Sequence, residues 1–252
     1  MNIPILFEDE DLLVVDKPAG ITVNRAETTK DEVTIQDWAE DHLSIKYKVS
    51  GIKYGDEEWK PEEDFYQRGG IVHRLDKETS GILIIAKNPT AFVELQRQFR
   101  DREVKKEYQA LAHGAITPPE GEINVPVGRL PWSGKQFGIV PGGKESKTLY
   151  KVLKNYQNPK NKEKFTLVEL YPQSGRTHQI RVHLKYIGHP IFSDFLYAGR
   201  KTARDDRKVL PRVFLHAAKI SFTHPSSKET MTFQSPLPQE LQEVLNVYNE
   251  DR

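Results

Sequence analysis

The 252-residue chain contains no cysteine, which excludes disulfides, thiol nucleophiles and cysteine-ligated zinc or iron–sulfur centres. Chemistry must come from Asp, Glu, His, Lys, Tyr, Ser or Thr. The sequence also lacks an apolar run near the ~20 residues needed to span a bilayer, and Met1 to Glu10 carries acids where a secretory leader would carry Lys or Arg. A cytoplasmic protein with no membrane partner is therefore expected. No internal repeat is visible, and no glycine-rich loop stands ready to cradle a phosphate. His178 and His183 lie five residues apart, about 140° round a helix and on opposite faces of a strand, whereas a metal-binding helical pair needs spacing four. Neither a cofactor nor a metal is expected, which leaves a metal hydrolase without its ligands.

What is present belongs to an ordinary globular protein: 37% hydrophobic, 29% charged and 10% aromatic residues. The length suits one large domain or two small ones, either able to bury a sizeable core. The net charge of +1 conceals a strong asymmetry. Between Gly128 and Lys219 there are 19 Lys and Arg against six Asp and Glu, a local charge of +13, while the remainder carries 18 against 30. That basic segment is interleaved with Trp132, Phe137, Tyr150, Tyr156, Phe165 and Tyr186. The combination suits a polyanion with stackable bases, although a solvated basic face balanced by the acidic remainder would look the same.

Patterning along the chain predicts a hairpin over Ile5 to Asp16, turning at Glu8-Asp9-Glu10-Asp11 and ending at Lys17-Pro18-Ala19-Gly20. The stretch from Ala26 to Arg68 is polar and irregular and reads as a variable surface insertion, with Ile35, Trp38, Leu43 and Ile45 able to supply a short helix. Ile71 to Leu75 and Ile82 to Ala86 read as strands flanking the polar turn Asp76-Lys77-Glu78-Thr79-Ser80-Gly81. After Asn88-Pro89-Thr90, apolar residues at Phe92, Leu95 and Phe99 predict a capped helix over Ala91 to Asp101 that exposes Arg97 and Arg100.

Further strands are expected at Val104 to Gly114, Thr148 to Leu153, Phe165 to Tyr171, Phe214 to Phe222 and Thr230 to Phe233, with a loop region at Gly121 to Val140. Around Ile180 to Leu184 the pattern fits strand or helix; Thr177 as N-cap and Gly188-His189-Pro190 as a stop favour the helix. Many strands and few helices without βα alternation imply an α+β fold around a largely antiparallel sheet.

An Asp in a turn is usually structural, because it caps its own backbone. Here the whole segment His73-Arg74-Leu75-Asp76-Lys77-Glu78-Thr79-Ser80-Gly81 resembles the signature of the RluA-type pseudouridine synthases, in which that Asp is catalytic. Other blocks of the family follow in order. Asp9 to Gly20 resembles its opening hairpin, and Val104-Lys105-Lys106-Glu107-Tyr108 its Lys-x-Tyr block. Ser174 to Leu184, with Gly188 to Ile191 and Asp194 to Tyr197, resembles its third block; Leu215-His216-Ala217, Phe222 to Pro225 and Pro236-Leu237-Pro238 resemble its closing strand and tail. The resemblance runs from about residue 6 to residue 240. Ser193 stands where the family usually has Gly, Val23-Asn24-Arg25 replaces a His-Pro pair, and with the hairpin so near the first residue no S4-type RNA-binding domain is expected ahead of it.

The resemblance implies a single catalytic domain with a central active-site cleft, acting on structured RNA, ribosomal or transfer, with no obligate protein partner evident. It implies that Asp76 acts at C1′ of a flipped-out uridine, that Arg181 pairs with this carboxylate, and that Tyr108 offers a flat face and a hydroxyl to the base. Arg74, Arg176 and His178 are implied neighbours for phosphates or the base, and Leu215 resembles a residue lining the base pocket. Isomerising uridine requires an ionised carboxylate at an electron-poor C1′, as in glycosidases, and extrusion of the nucleotide from its stack. A non-catalytic RNA-binding protein would keep the basic segment and would have no use for Asp76.

Overall fold

The computed structural model describes residues 1–26, 32–45, 61–134 and 136–251. In chain order the elements are β1 (Ile5–Glu8), β2 (Leu12–Lys17), α1 (Ile35–His42), α2 (Pro61–Gln67), β3 (Ser80–Ala86), α3 (Pro89–Arg100), β4 (Lys105–His113), β5 (Glu120–Asn124), β6 (Val127–Arg129), β7 (Phe137–Ile139), β8 (Lys147–Gln157), β9 (Lys164–Pro172), α4 (Gln179–Tyr186), α5 (Arg200–Asp206), β10 (Leu215–Thr223), β11 (Thr230–Gln234), α6 (Gln239–Val247) and β12 (Asn249–Asp251). The class is α+β with largely antiparallel strands, as expected. The chain divides into two compact units, one of Met1–Val104 and Ser221–Phe233, the other of Lys105–Ile220 and Gln234–Arg252.

In the first unit β2 is the middle strand, antiparallel to β1 and to β3, with Val14 opposite Ile84 and Val15 opposite Leu83. Both apolar runs are buried throughout, so their sequences lack the alternation of a one-sided strand. The β1–β2 turn closes on Asp9, whose Oδ1 accepts the N–H groups of Asp11 and Leu12 at 2.8 and 2.7 Å. Helix α3 starts two residues before the expected Ala91: Pro89 opens the first turn, Asn88 Oδ1 accepts the Ala91 N–H at 2.9 Å as the cap, and Phe92 and Leu95 are buried. Each of those two side chains contributes roughly 1.5–3 kcal/mol by leaving water.

The expected strand over Ile71 to Leu75 does not form. Only Ile71 bridges to Ile85, because the His73 side chain takes the place of a backbone acceptor: its Nε2 accepts the Ile84 N–H at 2.9 Å. The insertion read as surface also proves partly internal. Its α1 carries a capping box in which Thr34 and Asp37 satisfy each other's backbone N–H groups, and Phe65 on α2 is buried edge-on against Phe92 at 5.8 Å. Residues 27–31 and 46–60 of that insertion lie outside the described residues. Gly70, in the left-handed region at φ +74°, is required by space as well, since a Cβ there would lie 2.1 Å from the Ala86 carbonyl oxygen.

In the second unit the strands run in the order β10, β4, β9, β8, β12, with β5 also paired to β8. The β4–β9, β9–β8, β8–β5 and β8–β12 pairs are antiparallel. The region expected as loop, Gly121 to Val140, instead supplies β5 and the β6–β7 hairpin. The core gathers Leu111, Phe165, Val168, Leu170, Leu184, Phe192 and Phe214. Tyr150, Tyr156 and Phe165, read as interleaved base-stacking residues, are buried in this core rather than exposed.

Helix α4 ends as predicted. Gly188 at φ +86° donates to the Lys185 carbonyl at 3.0 Å and His189 donates to the Leu184 carbonyl at 2.9 Å, a Schellman closure. Its start is different. Thr177 is not the N-cap; His178 is, in the left-handed conformation at φ 56° and without a side-chain cap. The preceding loop is held by Gln179, whose Oε1 accepts the Ser174 hydroxyl and the Arg176 N–H at 2.7 and 3.1 Å while its Nε2 donates to Thr148 Oγ1 at 3.0 Å.

Candidate active site

Asp76, half-buried, opens the turn that leads into β3; its carbonyl accepts the Thr79 N–H at 3.0 Å. Two side chains brace that turn. Lys17, fully buried at the end of β2, donates from Nζ to the carbonyls of Pro18, Ile21 and Lys77 at 2.8, 2.9 and 3.2 Å. A buried ammonium is costly unless its donors are satisfied, so this one ties the 17–21 loop to the Asp76 turn, and Gly20 N–H adds a bond to the Lys77 carbonyl at 2.8 Å. From the other side His73, stacked on Phe99 at 4.7 Å, fixes the approach to Asp76 through its bond from Ile84. Because Nε2 accepts, the proton of the neutral ring is on Nδ1. Arg74 is exposed. The sequence gives neither Lys17 nor His73 a role of its own, and only their places in the matched blocks mark them.

In the second unit Tyr108 lies on β4 opposite Leu170, half-buried against the core. Lys106, two residues earlier and hence on the same face of the strand, donates from Nζ to the Ser174 carbonyl at 3.4 Å, and burial pushes its ammonium down to about 8. Leu215 begins β10 and is buried in the core cluster, and Arg176 is half-buried with Nε donating to the Glu145 carbonyl at 3.3 Å.

Arg181 is 7% exposed on α4, and its fork engages Asp194 in both directions: Nε donates to Oδ2 at 2.7 Å and Nη2 to Oδ1 at 2.9 Å. Asp194, wholly buried, also accepts the Leu196 and Tyr197 N–H groups on Oδ1 at 3.0 and 3.2 Å. The guanidinium sits 5.0 Å from the Tyr197 ring centre. Tyr197 Oη in turn accepts the Phe137 N–H at 2.9 Å and meets His178 Nδ1 at 2.8 Å. The fold thus joins Arg181 and His178 through Asp194 and Tyr197, two residues that the sequence offered only as part of a matched block. A bidentate pair of this kind holds a planar fork in one orientation, which a lysine could not do.

Ser193 occupies a left-handed position, φ 63°, fully buried. Glycine is the natural residue for such a backbone, which explains the family's usual choice. The serine compensates by donating its hydroxyl to the Leu210 carbonyl at 2.5 Å, while its N–H donates to Asp206 Oδ2 at 2.9 Å. The same Asp206 oxygen meets His113 Nε2 at 2.9 Å, and Glu163 meets His113 Nδ1 at 3.1 Å.

Comparison with known proteins places these features in company. The family profile described as RNA pseudouridylate synthase matches residues 11–186. The uncharacterized RNA pseudouridine synthase YlyB of Bacillus subtilis is 36% identical over 97% of this chain and 72% of its own length. The ribosomal large subunit pseudouridine synthase D of Neisseria meningitidis serogroup B is 37% identical over 98% of this chain and 61% of its own length. Among solved structures, human RNA pseudouridylate synthase domain containing 1 superposes with a TM-score of 0.73 at 26% identity, covering 99% of this chain and 89% of the human one.

Proposed function

Because this chain belongs to the RluA-type family of RNA pseudouridine synthases, isomerases that convert uridine in RNA to pseudouridine, we propose that Asp76 supplies the carboxylate of the reaction. The N1 to C1′ bond breaks, the carboxylate stabilises or traps C1′, the base turns, and C5 joins C1′. C5 then gives up its proton and N1 gains one, so no co-reactant is consumed. Tyr108 offers a stacking face, worth roughly 1–3 kcal/mol for a base, and a hydroxyl suited to assist removal of the C5 proton.

Arg181 keeps the carboxylate ionised, and Asp194 holds Arg181 in register as a positioning residue. Arg74 and Arg176 take phosphates, His178 and Leu215 contact the extruded nucleotide, and no metal or organic cofactor takes part. The observation that carries this reading is the rigid seat of Asp76, a turn braced by a buried lysine on one side and His73 on the other. A nucleophile that must meet one atom of an extruded sugar needs such fixed geometry.

The large-subunit synthase among the relatives supports ribosomal RNA as the substrate. The test is tritium release from C5-labelled uridine in ribosomal RNA. Wild type should release tritium and Asp76→Asn should not, while binding the same RNA with similar affinity. Release by Asp76→Asn within tenfold of wild type removes Asp76 from the mechanism. Mapping pseudouridines in total RNA with and without the gene then identifies the position.

A further inference from the structure

Trp132 is 79% exposed and Phe195 is 58% exposed, both unusual for large aromatic side chains. Trp132 stands at the tip of the β6–β7 hairpin, in a turn of Leu130-Pro131-Trp132-Ser133 closed by the Ser133 N–H donating to the Leu130 carbonyl at 3.1 Å. Proline at the second position presets that turn. The hairpin is stiffened by Arg129, which donates to the Gly134 carbonyl at 2.5 Å and lies 5.1 Å from the Phe137 ring. Phe195 lies in the turn between Asp194 and Tyr197, with the Arg207 guanidinium 5.7 Å from its ring.

These two elements are tied together beside the Arg181 network. Gln136 Nε2 donates to the Leu196 carbonyl at 3.1 Å, and the Phe137 N–H donates to Tyr197 Oη at 2.9 Å. Each exposed ring is thus carried on a short, braced turn, in the chain segment of strong positive charge, and each turn is anchored to the residues that orient Arg181. Fixed aromatic faces with arginines alongside are how proteins hold unpaired bases, since stacking needs a ring and the backbone needs a cation.

We infer that Trp132 and Phe195 form a stacking platform for unpaired nucleotides flanking the target uridine, so that this enzyme takes its substrate where the RNA is single-stranded. The inference rests on the proposed action of this site on RNA, in which Arg176 and His178 face the substrate. It would make substrate choice depend on unpaired flanks as well as on phosphate binding.

The probes are a short fluorescein-labelled oligouridylate and an RNA duplex of the same length, titrated into the full chain. Trp132→Ala and Phe195→Ala should each weaken oligouridylate binding by roughly 5- to 100-fold, while duplex affinity changes by less than about twofold and the salt slope stays the same, because no charge is removed. Trp132→Phe and Phe195→Tyr should retain most of the affinity. Unchanged oligouridylate binding in both alanine variants overturns the inference, and so does equal weakening for both probes. Tritium release by the wild type is measured in parallel. Its presence together with unchanged binding of the variants refutes the platform alone, whereas its absence refutes the isomerase reading itself.

Discussion

Replacing Asp194 by Asn tests the most constrained part of the second unit. The Arg181 side chain is 8% exposed and that of Asp194 is fully buried, so the substitution takes from a buried, permanently charged guanidinium the carboxylate that holds its Nε and Nη2. Breaking a buried pair from one side costs about 3–5 kcal/mol, and the amide adds a conflict of its own. Its NH2 must face either Nε–H of Arg181 or the N–H groups of Leu196 and Tyr197, donor against donor. Against a total stability of about 5–15 kcal/mol for a typical domain, that is a large share.

Urea unfolding followed by circular dichroism should show a lower midpoint for Asp194→Asn with an unchanged slope. Asp205→Asn, which removes only the exposed partner of Lys208, should leave the midpoint where it is. Combining Asp194→Asn with Arg181→Met should cost less than the two single changes added, because each removes one side of the same buried pair. At a temperature where the variant remains folded, kcat for tritium release should fall more than RNA affinity. A destabilisation under about 1 kcal/mol, or strict additivity in the double variant, would show that the pair is not the buried, mutually dependent unit described here.

Other outcomes follow from the same reasoning. Asp76→Asn should abolish tritium release with little loss of RNA affinity in a filter-binding assay. Burial opposes a charge on His113, but the Asp206 and Glu163 carboxylates outweigh it and raise its pKa above the ordinary histidine value. The raised folded-state value means that this stabilisation is complete below about 6.5 and is lost as pH rises through the folded pKa; thermal midpoints of wild type should therefore converge on those of His113→Gln with rising pH, and a constant gap across that range would contradict it. Ser193→Gly should alter stability by no more than about 1 kcal/mol, since relief of the left-handed backbone offsets the lost hydroxyl bond, while Ser193→Ala loses the bond and keeps the strain, and so should melt lower than both. Charge reversal at Lys201, Arg204 and Lys208 on and after α5 should flatten the dependence of log K on log salt, by about 0.7–0.9 for each phosphate no longer neutralised.

Local chemistry was enough for the sequence to specify the opening hairpin, the Asn88-capped helix, the Schellman end of α4 and most strands, because each depends on side chains within a few residues of one another. The nonapeptide around Asp76, with the ordered blocks after it, was likewise sufficient to identify the family. What local pattern could not express was decided by tertiary structure. His73 replaced a strand's hydrogen bond with a side-chain nitrogen, so Ile71 to Leu75 stayed irregular. A buried lysine whose partners lie as far as 60 positions away in the sequence reads, in one dimension, as a surface charge. Phe65 drew part of an apparently polar insertion into a core. The partner of Arg181 within its own unit, Asp194, stands 13 residues along the chain, and its identity rests on a turn that brings the carboxylate under the helix. Spacing announces a hydrophobic face or a cap; the pairing of buried charges and the left-handed residues that permit it depend on which distant segments come to share the same dry volume.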